Sequence, residues 1–86
     1  MFKTCIPIKD QHKDAIINLL TEIELKAEKK GEKFNWYIQK SDIKNYQHII
    51  VVESQTLNQA HKRGLLICKR YAKNLNLYYW IKGGGK

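Results

Sequence analysis

The order in which strand and helix patterns follow one another most constrains the fold of this chain. Residues 2–8 and 34–39 alternate apolar and polar side chains with a period of two, which is typical of half-buried strands. Residues 48–52 are dominated by a continuous β-branched run, as expected of a central strand. Residues 77–82 are rich in aromatic side chains and complete the set. The chain therefore contains four predicted strands.

Two further stretches repeat apolar residues at the spacing of a helix. Residues 10–30 begin with Asp10, a good N-cap, and are followed by Gly31, a good C-terminal stop. Residues 55–74 place one apolar arc toward the core, on which Gly64 is expected to allow close packing against the sheet. The arc consists of Leu57, Ala60, Gly64, Ile67, Cys68, Tyr71 and Leu75.

Together these elements give the order β-α-β-β-α-β, with residues 40–46 as a loop. This is the order of the ferredoxin-like α+β fold, in which two helices cover one face of a four-stranded antiparallel sheet. We therefore predict one domain over residues 1–82, with the second sheet face open. Residues 83–86 are expected to form a flexible, Gly-rich tail.

Acidic residues are missing from the last third of the chain. Residues 1–43 carry a net charge of +1, whereas residues 44–86 carry +7 and contain a single acid, Glu53. A surface selected only for solubility mixes both signs. A segment that excludes acids instead indicates a polyanionic partner, above all nucleic acid.

Most cations of this segment fall on the second predicted helix. Lys62, Lys69 and Lys73 fall on the side opposite the apolar arc, and Arg63 and Arg70 lie on the adjoining row, so five cations share one surface of the helix. Like charges at such spacing cost about a few tenths of a kcal/mol per pair, and the helix contains no carboxylate to relieve them. We predict a surface that binds RNA phosphates. The alternative is a solvated basic face without a ligand.

Aromatic residues of the predicted sheet extend this hypothesis. Tyr37, Tyr78 and Trp80 share an alternation class with Lys3 and Lys82, opposite a more aliphatic class. If the aliphatic class faces the helices, these rings point outward, where they can stack on unpaired bases. The alternative is that they pack in the core or in a dimer. The complete predicted RNA-binding set is Lys62, Arg63, Lys69, Arg70, Lys73, Lys82, Tyr78 and Trp80.

The sequence favours a protein without catalytic activity. His12, His48 and His61 have no spacing that brings them together as the acid and base of RNA cleavage, so a small ribonuclease is only the alternative. Cys5 and Cys68 lack CxxC spacing, and no glycine-rich phosphate loop is present. We therefore expect no catalytic residue, no metal site and no cofactor.

Targeting and membrane signals are also missing from the sequence. The N-terminus lacks the apolar run of a signal peptide, and no stretch approaches the ~20 apolar residues of a membrane span. We expect a cytoplasmic protein without a membrane partner.

The chain is small and basic, with 14 Lys, 11 Ile and 6 Asn against one Pro and two Arg. Over its whole length it resembles, in size, charge and composition, RNA-binding phage proteins that antagonise the ribonucleases of host toxin–antitoxin systems. The resemblance implies RNA and a host ribonuclease or other defence protein as partners, in the host cytoplasm. An inhibitor that covers an acidic host enzyme surface without RNA is the alternative. Aromatic edge strands are also compatible with a homodimer.

Overall fold

The computed structural model describes residues 1–83, and these form a four-stranded sheet. The strands are β1 (Phe2–Ile8), β2 (Asn35–Lys40), β3 (His48–Ser54) and β4 (Trp80–Gly83). All neighbouring strands are antiparallel, and their order is β2-β3-β1-β4. This order is that of the ferredoxin-like fold, so the prediction of an α+β domain of this type is confirmed.

Two helices follow β1 and β3. A 3₁₀ turn over Asp10–His12 leads into α1 (Lys13–Lys29). The second helix, α2 (Leu57–Leu65), continues as a π-helical segment (Leu66–Tyr71) and then a 3₁₀ turn (Lys73–Leu75). Neither helix in the described part of the chain has the length and apolar character needed to cross a bilayer.

The sheet face beneath the helices carries the main core. Strand register pairs Ile6 with Ile50 and Thr4 with Val52, and all four side chains are fully buried. The Thr4 hydroxyl donates to the Ala60 carbonyl at 2.9 Å, which satisfies the buried oxygen and holds α2 over β1. The helical layer completes this core with Ile16, Leu20, Ile23, Ile67, Cys68 and Ala72. Each fully buried Ile or Leu stabilises the fold by about 1.5–3 kcal/mol.

A smaller apolar cluster lies on the other face of the sheet. Cys5, Ile49 and Val51 are buried there, and Ile43 and Trp80 pack against them. Ile43 belongs to the loop over residues 41–47, which joins β2 to β3. This loop therefore covers part of the face that the sequence predicted to be open.

The helix starts differ from the predicted boundaries. Asp10 caps no helix, because its carboxylate lies 2.7 Å from His48 and the first helical turn has no side-chain cap. At α2 the N-cap is Thr56, whose hydroxyl accepts from the Gln59 amide at 3.1 Å. Because Thr56 caps it, α2 begins two residues later than position 55.

The last strand is shorter than predicted. Asn76 adopts a left-handed backbone with a φ of 54°, and Leu77 after it is buried in the main core without joining the sheet. The strand begins at Trp80 and ends at Gly83, which pairs with Phe2. Gly83 therefore belongs to the sheet and not to the predicted tail. The remaining tail positions, 84–86, lie outside the described residues.

Candidate nucleic-acid interface

The π-helical segment changes which residues face the core after α2. Ala72 donates its amide hydrogen to the Ile67 carbonyl at 2.8 Å, a bond that spans five residues instead of four. The extra residue rotates later side chains backward around the helix axis. Ala72, 5% exposed, takes the core position that regular spacing assigns to Tyr71, and Tyr71 is 38% exposed. The prediction that Tyr71 faces the core is therefore wrong.

Four of the five predicted helix cations lie on the exposed side of this layer. We call them the basic surface: Lys62, Lys69, Arg70 and Lys73. None of the four forms an ion pair with a carboxylate of residues 1–83. An anion that binds here therefore displaces no existing partner charge.

Arg63, the fifth predicted cation, is held within the fold instead. Its Nη1 donates to the Glu53 carbonyl at 2.7 Å and to Ser54 Oγ at 3.2 Å. Its Nη2 donates to the Lys33 carbonyl at 2.8 Å, and the guanidinium carbon lies 5.0 Å from the centre of the Phe34 ring. Burial lowers the pKa of Arg63. Arg63 thus ties α2 to the end of β3 and to Lys33 before β2, with its donors occupied inside the fold, although the residue also lines the cleft beside α1.

A groove between α1 and α2 extends the basic surface. The exposed ring of Tyr71 lies at this groove, with Lys26 Nζ 5.7 Å and Arg70 Cζ 5.9 Å from its centre. Lys30 and Glu32 also line the groove, whose volume is about 330 Å³. We call it the interhelical groove. Lys26 of α1 and Arg70 of the π-helical segment therefore place positive charge beside the same aromatic ring.

Sequence reasoning missed Lys26, Lys30 and Tyr71 as members of the site. The two lysines belong to a stretch at the end of α1 that also contains Glu28 and Glu32, so its net charge gave no signal. A constant helical period places Tyr71 on the core side, so the sequence does not predict its exposure. Two cations and an aromatic residue, Lys69, Arg70 and Tyr71, are adjacent near the predicted end of the helix. Such a run is compatible with a binding site, but it does not predict a π-helical turn.

The predicted aromatic residues lie on the outer face of the sheet. Lys82 is opposite Lys3 in the register of β1 and β4. Trp80 is partly buried against the small apolar cluster, and Tyr78 is 46% exposed, with the two ring centres 6.1 Å apart. Tyr46, from the β2–β3 loop, meets Tyr78 edge-on at 6.0 Å. These three rings form a continuous aromatic row, which the sequence predicted only in part.

The structure does not bring the two predicted parts of the site together. The basic surface belongs to the helical layer, whereas Tyr78 and Trp80 belong to the opposite side of the sheet. Tyr79 lies between them: its ring packs over Gly64, and its hydroxyl is 3.2 Å from His61 Nδ1. A strand of RNA that contacted both parts would have to pass around the edge formed by β4.

One acid–base pair joins residues that are far apart in sequence. His48 Nε2 lies 2.7 Å from Asp10 Oδ1, which links the start of β3 to the turn before α1. The hydrogen bond from His48 lowers the pKa of Asp10. His61 contacts Tyr79 instead, so His48 and His61 have separate partners on separate elements. These two histidines do not form one acid–base pair.

The cysteines and other ligand-type side chains add no site. Cys5 and Cys68 are buried and unpaired by disulfide. Burial raises the pKa of Cys5, and it raises the pKa of Cys68 to about 11, which keeps the thiol protonated at neutral pH. Within residues 1–83, no three His, Cys, Asp or Glu side chains are gathered as metal ligands would be.

The chain matches no protein-family model, and no curated protein or solved structure is significantly similar to it.

Proposed function

We propose that this chain is a non-enzymatic RNA-binding protein and that the basic surface is its main contact with the RNA backbone. The observation that carries this proposal is the set of four exposed cations without an ion-pair partner among residues 1–83, on a segment without acids. Lys and Arg side chains bind phosphate oxygens whatever the base sequence is. We therefore expect low sequence specificity.

The strength of the salt dependence follows from the number of contacts. Each phosphate contact to a single strand contributes about −0.7 to the slope of log affinity against log salt concentration. The four residues of the basic surface therefore contribute about −2.8. Arg63 is left out of this sum, because its hydrogen-bond donors are already directed at two backbone carbonyls and Ser54.

An electrophoretic shift assay with single-stranded RNA tests the proposal. We expect wild type to bind and a Lys69→Glu/Arg70→Glu/Lys73→Glu variant to lose binding. The matched control reverses three exposed lysines elsewhere, Lys9, Lys29 and Lys44, and should bind nearly as wild type does. Equal binding by both variants would show that only net charge matters, and it would refute the basic surface as the site.

The same assay separates binding from cleavage. We expect the RNA to remain intact, because His48 and His61 have separate partners on separate elements. RNA cleavage that disappeared in His48→Ala or His61→Ala would instead support a small ribonuclease.

A pull-down from bacterial lysate, with and without nuclease treatment, tests the alternative of a protein target. The likeness to phage antagonists in size, charge and composition extends our proposal to a host ribonuclease toxin that is reached through RNA. We expect any such partner to be released by nuclease. A partner retained after nuclease treatment would favour direct binding of an acidic protein surface.

A further inference from the structure

We propose that the interhelical groove is a binding subsite for an unpaired nucleotide, in which the Tyr71 ring stacks on the base and the surrounding cations hold the flanking phosphates. This inference rests on the proposed function. It deepens that function by selecting single-stranded RNA over duplex and by including α1 in the site.

The side chain of Tyr71 is exposed to solvent. A regular α-helix would turn this ring toward the core, but the π-helical segment places Ala72 there instead. Single π-helical turns are uncommon and occur often at functional sites. The result is a tyrosine that is 38% exposed at the groove beside α1.

Positively charged side chains lie close to the Tyr71 ring. Lys26 Nζ and Arg70 Cζ come from two different elements and lie over this ring, 5.7 and 5.9 Å from its centre, so a base that stacks on the ring takes the place of one of these cations. Lys30 lines the same groove. These groups are within reach of the phosphates on either side of a base stacked at Tyr71. An exposed aromatic ring without neighbouring cations could stack on a base but could not also bind its phosphates.

Two acidic side chains also lie near the groove. Glu32 lines it, and Glu22 lies 4.0 Å from Lys26. The Glu22–Lys26 pair is exposed on both sides, at 64% and 58%, and such pairs contribute little to stability. Lys26 can therefore turn from Glu22 to a phosphate at small cost.

A site that stacks on a base requires single-stranded and not double-stranded RNA. In a duplex, the flat faces of the bases are covered by their stacked neighbours. Proteins therefore stack aromatic side chains mainly on unpaired bases. Stacking on an aromatic side chain tolerates any base, because every base has an aromatic face. The groove is thus suited to a single strand of any sequence.

The test compares the affinity of each variant for a short oligoadenylate with its affinity for the same strand annealed to its complement. Tyr71→Leu should lower single-strand affinity about 5- to 150-fold, whereas Tyr71→Phe should bind as wild type does. Lys26→Gln/Lys30→Gln should make the salt slope shallower by about 1.4, since two contacts are lost. The matched control, Lys29→Gln/Lys44→Gln, removes the same charge outside the groove and should leave the slope unchanged.

The outcomes also separate this subsite from the general proposal. If wild type binds no RNA, or binds it without salt dependence, the proposed function fails as a whole. If wild type binds with a steep slope but Tyr71→Leu and Lys26→Gln/Lys30→Gln behave as wild type does, only the subsite is wrong. Equal affinity for the single strand and the duplex would also overturn it. Circular dichroism of each variant shows whether it is folded before the affinities are compared.

Discussion

Gly64 is the residue at which packing depends most directly on a missing side chain. A Cβ built at this position would lie 2.7 Å from the Tyr79 ring, closer than atoms can pack. We expect Gly64→Ala to lower the free energy of unfolding by up to about 2 kcal/mol, since overpacking costs about 1–3 kcal/mol and the gain in helix propensity offsets up to about 1. Urea denaturation measures the change.

A second variant provides the control for Gly64. In a Tyr79→Leu background the clash is relieved, so the same Gly64→Ala change should stabilise the protein by up to about 1 kcal/mol. If Gly64→Ala has the same effect in both backgrounds, the contact between Gly64 and the Tyr79 ring does not control packing here.

Arg63 and its neighbour Lys62 have opposite roles although both are helix cations. Arg63→Lys should lower the free energy of unfolding by about 1.5–3 kcal/mol, because a lysine cannot reproduce the three hydrogen bonds of the guanidinium. Lys62→Gln should leave stability within about 0.5 kcal/mol and weaken RNA binding. Thermal or urea unfolding of the two variants, together with an RNA titration, checks both expectations. The reverse pattern, with Lys62 needed for stability and Arg63 only for RNA, would contradict the assignment.

These residues show what a single sequence can and cannot predict at this scale. The place of Gly64 on the apolar arc predicts close packing against the sheet; the close contact exists, but it is with the ring of Tyr79, which precedes β4. The fate of Arg63 depended on carbonyls of Lys33 and Glu53, which are 30 and 10 residues away in the chain. Helical spacing indicates the side on which a residue lies but not which distant backbone atoms come within reach.

At the level of elements, the pair formed by Asp10 and His48 predicts how stability depends on pH. The hydrogen bond from His48 lowers the pKa of Asp10 in the folded protein, and the charges of His48 and Lys13 lower it further. The unfolded chain then binds the proton more tightly than the folded one. The stabilisation is therefore present above the unfolded pKa of about 3.9, and it is lost as pH falls through the lower, folded pKa.

The Asp10→Asn variant measures this contribution. Its melting temperature should be below that of wild type near neutral pH, and the difference should shrink between about pH 5 and pH 2. Asp42→Asn, in the β2–β3 loop, serves as the control. A difference between wild type and Asp10→Asn that stayed constant over this range would show that the pair does not contribute through ionisation of Asp10.

The elements themselves were largely predictable, whereas their interruptions were not. Alternation and β-branched residues predicted the first three strands, because a sheet with one buried face requires that pattern, and aromatic residues predicted the fourth, which begins three residues later than expected. The π-helical turn before Ala72 leaves no mark in the spacing of apolar residues, since Gly64, Ile67 and Cys68 suit an α-helix equally well. For the same reason the exposure of Tyr71, and with it the interhelical groove, could not be predicted.

At the scale of the whole molecule, the candidate RNA contacts are divided between the two sides of the sheet. The basic surface and the interhelical groove lie on the helical layer, and the aromatic row of Tyr46, Tyr78 and Trp80 lies beyond the sheet. The β2–β3 loop and Trp80 cover the small cluster on that second face. The helical layer is therefore the side on which we expect RNA to bind most strongly.

The most direct test of this account is the salt dependence of RNA affinity in wild type and in Lys69→Gln/Arg70→Gln/Lys73→Gln. Affinity for a single strand is measured between about 50 and 200 mM salt. Losing these three contacts should make the log–log slope shallower by about 2.1, while Lys9→Gln/Lys29→Gln/Lys44→Gln, with the same loss of charge, should keep the wild-type slope. A wild-type slope near zero, or equal slopes for the two variants, would contradict it.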